Sequence, residues 1–508
     1  MYIKIIRATH QWLDGVLINV EVDIMKGMPT FAIVGLPDAS VREAKERVRA
    51  AIVNSGFEFP LGRIIINLAP ADVKKNGTLL DLPIAIGILM ESNQIARKNL
   101  DDYVVFGELS LSGELVKIKG AIPIIFEGEN KKKNSFIFPL ENLKEMRNFV
   151  LGNFYPFRTL KEVVSFITNE DLLPFEDSTI KHIYKNNYTL DFGEIIGQYT
   201  AKRAMEIVAV GRHNIMMFGS PGSGKSMIAK ALPSILPPLT IEEEKEIAKI
   251  YSISGLWNEE YIIERPFRSP HHTITKTALV GGGNDIKVGE ITLAHNGVLF
   301  LDEILEFNRE SLEVLRQPLE EGIINISRLK ESYILPSKFI LVGAFNPCKC
   351  AMSLENGNDS MCKCTENEKK RYLSKLSRPL MDRIDLFNYI PKIKYEEITD
   401  KKDHINSDKM RQEVIGAIER QNFRLKETRY NYNSEIVGKD VLRLCNINSK
   451  AEIILEECYN KYNITLRGYT KIIKVARTIA DLEGRDEIMD YHIIEAIGYR
   501  KNVFGEII

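Results

Sequence analysis

The spacing of apolar residues changes along the chain, and each spacing predicts a different kind of structure. Near the N-terminus, apolar and polar residues alternate over residues 16–24 and 30–34, which predicts two strands. In the middle of the chain, three short apolar runs predict buried strands. These runs lie at residues 215–218, 297–301 and 339–345. From Asp408 onward, segments with helical spacing and no proline predict an all-α domain.

The length of the chain, together with these patterns, predicts several domains. At 508 residues the chain exceeds what one hydrophobic core organises. Residues 169–194 mix charged and aromatic side chains without a period, which is typical of an interdomain linker. We therefore expect an N-terminal domain at 1–168, this linker, a core domain at 195–395 and a helical domain at 396–508.

A glycine-rich loop directly follows the first central apolar run. Its residues are Gly219, Ser220, Pro221, Gly222, Ser223, Gly224, Lys225 and Ser226. A loop of this composition between a strand and a helix turns several backbone N–H groups inward, where they bind phosphate oxygens. Lys225 would then reach the outer phosphates, and the Ser226 hydroxyl would bind Mg²⁺. The loop therefore predicts an ATP site.

Polar residues also follow the other two central runs. Asp302 and Glu303 follow the second run, and Asn346 follows the third. Beside a phosphate loop, Asp302 would hold Mg²⁺, and Glu303 would orient and deprotonate the attacking water. Asn346 would hold that water near the γ-phosphate, or else form a turn before Pro347. Together these residues predict ATP hydrolysis.

Composition and charge exclude some classes of partner. The formal net charge of −1 excludes a uniformly basic exterior, so a nucleic-acid surface must be a local patch or a lined channel. The 44% hydrophobic and 27% charged content is typical of a soluble globular protein. Apolar runs are too short for a membrane span, and charged residues interrupt the N-terminal segment. We therefore expect a cytoplasmic protein with no membrane partner.

Four of the six cysteines lie close together in the sequence. They are Cys348, Cys350, Cys362 and Cys364. Four thiolates at the ends of a loop suit tetrahedral Zn²⁺, although structural zinc sites more often leave two to four residues within each cysteine pair. The alternative is a surface loop with reduced cysteines. The spacing does not predict a disulfide framework in a chain of this length.

Three strings in the N-terminal domain are informative. They are Phe-Ala-Ile-Val-Gly-Leu-Pro-Asp at 31–38, Asn-Leu-Ala-Pro-Ala-Asp at 67–72 and Gly-Glu-Leu-Ser-Leu-Ser-Gly-Glu-Leu at 107–115. These strings resemble the ComM/YifB family of magnesium-chelatase-like AAA+ ATPases. The resemblance implies an α/β protein with an N-terminal α+β domain similar to the Lon protease domain, a central AAA+ domain with a parallel sheet and a C-terminal all-α lid. Leu79 and Ile122 stand where Lon-type proteases carry a nucleophilic serine and its lysine, so we expect an inactive scaffold.

Two arginines further along carry the same resemblance. The string Arg-Pro-Leu-Met-Asp-Arg-Ile-Asp-Leu at 378–386 implies an arginine finger that acts on the nucleotide of a neighbouring subunit, and we assign it to Arg383. The alternative is a structural pair between Arg383 and Asp385. The string Leu-Arg-Gly-Tyr at 466–469 implies that Arg467 reaches the γ-phosphate from the lid. An exposed arginine at a helix start is the alternative there.

Two inserts in the core domain resemble inserts that face the central pore in this clade. The first, at 265–283, contains Arg268. The second, at 322–336, alternates apolar and polar residues as a β-hairpin does and contains Arg328 and Lys330. In a pore, these cations would follow a phosphate backbone by charge rather than by base. The alternative is ordinary surface charge.

The resemblance implies a ring, which we expect to be a hexamer, that uses ATP and Mg²⁺ to move DNA through its pore. We therefore expect a branch-migration helicase that acts on branched or single-stranded DNA in recombination and natural transformation, with recombination proteins as partners. The competing hypothesis is a protein remodeller or a chelatase-type subunit that acts on a protein partner. A scaffold without hydrolysis is disfavoured by the presence of Glu303, Asn346 and Arg383.

Overall fold

The computed structural model of the chain contains two compact units. The first comprises residues 1–184 and 244–263, and the second comprises residues 185–243 and 264–508. Each unit is built around its own sheet. The residues that the structure describes are 3–11, 13–35, 39–70, 79–96, 99–146, 149, 152–169, 173–175, 188, 190–257, 264–283, 287–327, 332–350, 362, 364–393, 395, 405–462 and 464–501.

A seven-stranded mixed sheet forms the centre of the first unit. The strands of this unit are β1 (Ile3–Gln11), β2 (Asp14–Met25), β3 (Thr30–Val34), β4 (Arg63–Ala69), β5 (Tyr103–Val105), β6 (Glu108–Leu109), β7 (Leu115–Val116), β8 (Ser135–Pro139) and β9 (Asn153–Phe157). The sheet has the order β3-β4-β2-β1-β5-β8-β9, and β6 pairs separately with β7. The two predicted N-terminal strands are confirmed as β2 and β3. Because β4 lies between them, the turn that joins them does not form a hairpin.

The first unit also contains helices with largely buried faces. They are Ala39–Asn54, Asp81–Glu91, Ala121–Asn130, Leu143–Met146, Leu160–Asn169 and, from Glu244 onward, helix Ile241–Ser254. The Ser252 hydroxyl accepts a hydrogen bond from the backbone N–H of Ile122 over 3.3 Å, which fixes the last of these helices in the unit. Leu79 and Ile122, which stand at the two protease positions, are both buried apolar residues.

A five-stranded sheet forms the centre of the second unit. The strands of this unit are β10 (Ile215–Phe218), β11 (Phe267–Arg268), β12 (Gly281–Gly282), β13 (Lys287–Val288), β14 (Val298–Leu301), β15 (Ile323–Ser327), β16 (Ser332–Pro336), β17 (Ile340–Phe345) and β18 (Leu386–Tyr389). The sheet has the order β11-β14-β17-β10-β18, and its pairings are parallel. Every residue of β10, β14 and β17 is buried, as continuous apolar runs predict. The three predicted central strands are therefore confirmed, with β17 between the other two.

The helices of the second unit form a core group and a C-terminal group. The core group is Tyr199–Gly211, Lys225–Ala231, Lys276–Val280, Glu290–Leu293, Arg309–Glu313, Arg316–Glu321, Glu366–Leu373 and Arg378–Met381. The C-terminal group is Ser407–Leu425, Asp440–Cys445, Ser449–Tyr462, Leu466–Leu482 and Asp490–Gly498, which confirms the predicted run of helices. Apolar side chains from both groups contribute to one hydrophobic core.

The second predicted insert forms a hairpin, because β15 and β16 pair antiparallel. Arg328 and Lys330 fall between these strands in the sequence and lie outside the described residues. Arg268 lies in β11, the outermost strand on one side of the central sheet. In the described part of the chain, none of the helices combines the length and apolar character that crossing a membrane requires.

Candidate active site

The glycine-rich loop connects the end of β10 to helix Lys225–Ala231, as the sequence predicts. A Cβ at Gly219 would come within 2.2 Å of the carbonyl oxygen of Ile390, so only glycine fits there. Gly222 and Gly224 adopt left-handed conformations, with φ of 73° and 93°. A Cβ at either of these two positions would meet no atom within 4 Å. The loop therefore faces open space, with room for phosphate oxygens beside its backbone.

The Lys225 ammonium lies inside this loop. It donates hydrogen bonds to the carbonyl oxygens of Gly219 and Ser220, both over 2.8 Å. Burial lowers the pKa of Lys225, and the nearby carboxylates of Asp302 and Glu303 partly offset that effect. A buried ammonium that is held mainly by neutral carbonyl groups favours an added anion, and a triphosphate supplies one.

Ser226 and Asp302 meet at the start of this helix. The Ser226 hydroxyl donates to Oδ2 of Asp302 over 2.7 Å, which joins the helix to the end of β14. A hydroxyl oxygen and a carboxylate oxygen are ligands of the kind that Mg²⁺ takes together with water and phosphate. The residues present therefore fit Mg²⁺, with Ser226 and Asp302 as its protein ligands.

Glu303 follows Asp302 in an unusual backbone conformation. Its φ of 48° and ψ of 46° lie in the left-handed region, which residues other than glycine seldom adopt. The backbone N–H of Glu303 donates to Oδ1 of Asp302 over 3.0 Å, and the Glu303 side chain is exposed. Backbone strain of this kind concentrates at functional sites. The conformation leaves the Glu303 carboxylate accessible to water.

Asn346 lies directly after β17. Because β17 pairs with both β10 and β14, Asn346 is next to the phosphate loop and to the acidic pair. Its Oδ1 accepts a hydrogen bond from the Lys225 ammonium over 3.2 Å. The structure therefore brings the predicted residues Lys225, Ser226, Asp302, Glu303 and Asn346 to one edge of the sheet.

Gln198 also contacts the phosphate loop. Its Nε2 donates to the carbonyl oxygens of Ser223 over 3.2 Å and of Pro391 over 2.7 Å. Gln198 is the N-cap residue of helix Tyr199–Gly211. The contact with Ser223 places Gln198 against the loop itself.

A second polar region lies at the opposite edge of the same sheet. It is a cavity of about 350 Å³ whose wall includes Asn214, Phe339 and Asp385, each directly before a strand of the sheet. Because the strands are parallel, their amino ends lie away from the phosphate loop, by about 13 Å for a four-residue strand. Arg383 and Arg467 both line this cavity. The structure therefore places the two predicted arginines together, away from the phosphate loop of their own chain.

Glu320 forms ion pairs with both Arg383 and Arg467. Its Oε1 lies 3.5 Å from Nη2 of Arg467. Arg383 also donates to the Pro379 carbonyl over 2.7 Å, while its Nε has no hydrogen-bond acceptor among the described residues. The Glu320 side chain is 51% exposed and that of Arg467 is 58% exposed. The Arg383 side chain is only 14% exposed, so the exposed member of its pair is Glu320. A carboxylate that faces water in this way contributes a weak ion pair and is readily exchanged.

Asp385 pairs with Lys471 rather than with Arg383. Oδ2 of Asp385 also lies 3.7 Å from Nδ1 of His213. Burial alone would raise the pKa of Asp385, but Lys471 and His213 hold it well below its usual value. The alternative of a structural Arg383–Asp385 pair is therefore wrong, and Asp385 is a buried anchor of the cavity wall.

Arg268 forms a bidentate ion pair within the chain. Its Nε and Nη2 donate to the two carboxylate oxygens of Glu290, over 2.6 and 2.8 Å. Bidentate pairs of this kind are among the stronger charge-assisted contacts. The predicted contact of Arg268 with DNA would have to break or share this pair.

The four clustered cysteines come together in space. The Sγ atoms of Cys348, Cys350, Cys362 and Cys364 all lie within 4.8 Å of one another. Cys348 is buried, and the other three are half-buried. The structure therefore places the four predicted thiols in one cluster.

Glu320 and Asn214 both line the cavity and were not predicted from the sequence. Glu320 stands in a Glu-Glu pair at the end of helix Arg316–Glu321, and nothing in that local sequence points to Arg383 or Arg467. Asn214 accepts a hydrogen bond from the N–H of Leu341 over 2.9 Å and so joins the starts of β10 and β17. A polar residue directly before an apolar strand was the available signal for Asn214.

The fold and the site together define a P-loop ATPase of the AAA+ type, because the phosphate loop, the acidic pair Asp302–Glu303 and Asn346 lie at the ends of adjacent parallel strands.

Known families match the chain in three segments. The family described as magnesium chelatase, subunit ChlI, matches residues 191–398. Subunit ChlI of Mg-chelatase matches residues 20–142, and the magnesium chelatase subunit ChlI C-terminal family matches residues 404–500.

Individual relatives match over nearly the whole length. The chain is 40% identical over 492 residues to competence protein ComM of Haemophilus influenzae, which covers 96% of this chain and 95% of the relative. It is 39% identical over 485 residues to the protein YifB of Salmonella typhimurium, with 95% and 94% covered. The magnesium-chelatase 38 kDa subunit of Cereibacter sphaeroides is 25% identical over 174 residues, with 31% and 52% covered. The chain therefore belongs to the ComM/YifB family of magnesium-chelatase-like proteins.

Proposed function

We propose that this protein is an ATP-hydrolysing ring motor that acts on DNA as a branch-migration helicase in recombination and natural transformation. The observation that carries the proposal is that the residues expected to act in hydrolysis lie at opposite ends of the parallel strands. The ends that carry the phosphate loop form the carboxyl edge of the sheet, and the opposite ends form its amino edge. Lys225 and Asp302 lie at the carboxyl edge, whereas Arg383 lies at the amino edge. A chain arranged in this way completes its site with the arginine of a second copy.

Within one chain, the carboxyl edge binds the triphosphate and prepares the water. Lys225 and the loop N–H groups bind phosphate oxygens, and Ser226 with Asp302 would hold Mg²⁺. Mg²⁺ supplies charge neutralisation on the phosphates when it is bound. Glu303 takes a proton from the water that attacks the γ-phosphorus, and Asn346 orients that water. The bond to the bridging oxygen breaks, and ADP and phosphate leave.

The cofactors of this function are ATP and Mg²⁺. Zn²⁺ at the four cysteines would be structural, because four protein ligands leave no open coordination position for a reactant.

The neighbouring chain would contribute Arg383 and Arg467 from its cavity. A triphosphate brought against that cavity would replace Glu320, whose hold on the arginines is weak because it is exposed. The guanidinium groups would then neutralise the charge that develops on the transferred phosphoryl group. Because the two contacting surfaces differ, the contact is head-to-tail, and a rotation that closes makes a ring. We propose a hexamer.

The DNA part of the proposal is supported by the family and by the hairpin. The relative from Haemophilus influenzae is named a competence protein, which favours a role in natural transformation alongside recombination proteins in the cytoplasm. Hairpin β15–β16 would present Arg328 and Lys330 to DNA in a central pore, where they would contact the phosphate backbone. The net charge of −1 agrees with a basic lining that is local.

A protein remodeller or chelatase-type subunit is the second candidate. It is favoured by the similarity to the magnesium-chelatase 38 kDa subunit. It is also favoured by the first unit, where the buried apolar residues Leu79 and Ile122 support an inactive, Lon-protease-like domain that serves binding.

Strand exchange on a synthetic four-way junction, with and without ATP, tests the function. We expect exchange only with ATP, and an ATPase rate that rises with branched or single-stranded DNA. Arg328→Ala combined with Lys330→Ala should abolish the stimulation by DNA, whereas Lys450→Ala, an exposed lysine of the C-terminal helices, should keep it. A rate that ignores every DNA but rises with a protein partner would support the second candidate.

A further inference from the structure

The cysteine cluster has the dimensions of a single metal site. The Sγ atom of Cys348 lies 3.3 Å from that of Cys350 and 3.7 Å from that of Cys362, and those of Cys350 and Cys362 are 3.5 Å apart. In a zinc tetrathiolate, Zn–S bonds of about 2.3 Å place neighbouring sulfurs about 3.8 Å apart. The four thiols therefore surround the volume of one tetrahedral ion.

The same distances distinguish a site for one metal ion from an iron–sulfur cluster and from disulfide bonds. A cluster of several irons binds its thiolates through different metal atoms, which requires sulfurs farther apart than one tetrahedron allows. The observed separations also exceed the about 2.05 Å of a disulfide bond. A complete set of four thiolates with no open position is typical of structural zinc.

One end of the cluster is connected to Asn346. Cys348 is fully buried and follows Asn346 by two residues, directly beyond the end of β17. Asn346 in turn accepts a hydrogen bond from Lys225. A metal bond at Cys348 would restrict this short connection and thereby the direction of the Asn346 side chain.

The other end of the cluster is connected to a helix. Cys364 directly precedes Thr365, which is the N-cap of helix Glu366–Leu373. The Thr365 hydroxyl accepts from the backbone N–H of Glu368 over 3.3 Å, and the Glu368 carboxylate accepts from the Thr365 N–H over 2.8 Å. This reciprocal cap fixes the helix start beside the cluster.

This helix contacts the turn that follows Glu303. The Tyr372 hydroxyl donates to Oε1 of Glu306 over 3.1 Å, and the Lys375 ammonium donates to the carbonyl oxygen of Leu305 over 2.6 Å. Both acceptors belong to the 3₁₀ helix Ile304–Glu306, whose N-cap is Glu303. The cluster is therefore linked through described contacts to both residues that would act on the water.

We propose that Cys348, Cys350, Cys362 and Cys364 hold one Zn²⁺, and that this ion positions Glu303 and Asn346 for hydrolysis. The ion lies outside the reacting atoms and acts by fixing the two connections. Zinc binding stands on the thiol geometry alone. The positioning effect rests on the proposed function, so the two parts fail separately.

Metal analysis of the purified full-length protein tests the binding part. We expect about one zinc per chain, and Co²⁺ in its place should give the intense absorption of a tetrahedral thiolate site. Cys364→Ser should lose the metal, whereas Cys364→His should keep it, because three cysteines and one histidine also form a zinc set. Cys458→Ser, outside the cluster, is the control. Protein without zinc, iron in its place, or a histidine variant as empty as the serine variant overturns the site.

Steady-state kinetics tests the positioning part. Loss of zinc should lower kcat about 10- to 100-fold while KM for ATP changes little, because the phosphate loop itself is untouched. Zn²⁺ added back to chelator-treated wild-type protein should restore kcat, which distinguishes positioning from unfolding. Metal-free protein that hydrolyses ATP at the wild-type rate would refute positioning. Zinc-loaded protein without any hydrolysis would refute the proposed function instead.

Discussion

The two edges of the parallel sheet in the second unit hold their charged groups in opposite ways. At the carboxyl edge, Lys225 is buried among loop carbonyl groups, and Ser226 contacts Asp302 over 2.7 Å. At the amino edge, Arg383 and Arg467 share one carboxylate that is half exposed. The first set is preorganised by its own chain. The second set is held by a partner that a stronger anion can replace.

Two other cations at the amino edge, Lys471 and Arg212, pair with largely buried carboxylates. Lys471 pairs with the buried Asp385. Arg212 pairs with Glu243, whose side chain is only 12% exposed. Removing one member of a buried pair leaves an uncompensated charge, so such pairs stay together. Arg383 and Arg467 differ because their partner faces water, and this difference selects them as the groups that a neighbouring nucleotide would bind.

Replacing Arg383 should have the largest effect. Arg383→Ala should lower kcat for ATP about 10³- to 10⁵-fold, because an arginine finger neutralises charge only in the transition state. Nucleotide binding to the phosphate loop should remain, as a fluorescent nucleotide would report. Arg443→Ala, a 68% exposed arginine of the C-terminal helices, is the matched control. An Arg383→Ala protein that turns over at the wild-type rate would remove the amino edge from the mechanism.

Replacing Glu303 should have the next largest effect. Glu303→Gln should lower kcat about 10²- to 10⁴-fold, because the amide cannot accept the proton of the attacking water. Its affinity for ATP should stay unchanged, since the change leaves Lys225 and Ser226 in place. Single-turnover hydrolysis separates the two quantities, and Glu310→Gln, an exposed neighbour, serves as control. Equal rates for both variants would show that Glu303 does not activate the water.

Protonation of Glu243 by acid should have the smallest effect. It tests how much the buried ion pairs of this residue contribute to the free energy of unfolding. Burial alone would raise the pKa of Glu243, but Arg265 and Arg212 hold it at about 2. Because this pKa lies below the unfolded value, the pair stabilises the fold above pH 4.5 and loses its effect as pH falls toward 2. The lost stability is about 3 kcal/mol.

Urea unfolding at several pH values, followed by circular dichroism, measures this contribution. The difference in free energy of unfolding between wild type and Glu243→Gln should shrink as pH falls below 4.5. Glu242→Gln, an exposed neighbour, should show no such trend. A gap between wild type and Glu243→Gln that stays constant with pH would contradict the assignment.

Much of the carboxyl edge was predictable because its residues are adjacent in sequence to the strands that position them. Asp302, Glu303 and Asn346 each follow an apolar strand, and the ends of adjacent parallel strands meet at one edge. The helical spacing after Asp408 likewise predicted the C-terminal helices, since a 3.6-residue period depends on local sequence alone.

The amino edge was much less predictable, because its contacts join residues far apart in sequence. Glu320 meets Arg383 and Arg467 only through the tertiary fold. The pairing of β4 between β2 and β3 has the same cause, since β4 comes from a later part of the sequence than either neighbour. Which strand pairs with which is a long-range property that alternation does not encode.

Mixing two inactive variants tests the central claim most directly. Lys225→Ala lacks a working phosphate loop and Arg383→Ala lacks the finger, so neither should hydrolyse ATP alone. When the two are unfolded together and refolded as mixed assemblies, some contacts will pair an intact Lys225 with an intact Arg383. We predict recovery of about a quarter of the wild-type rate for random head-to-tail mixing with independent sites. A mixture that stays inactive, although both variants assemble together, would contradict a site shared between chains.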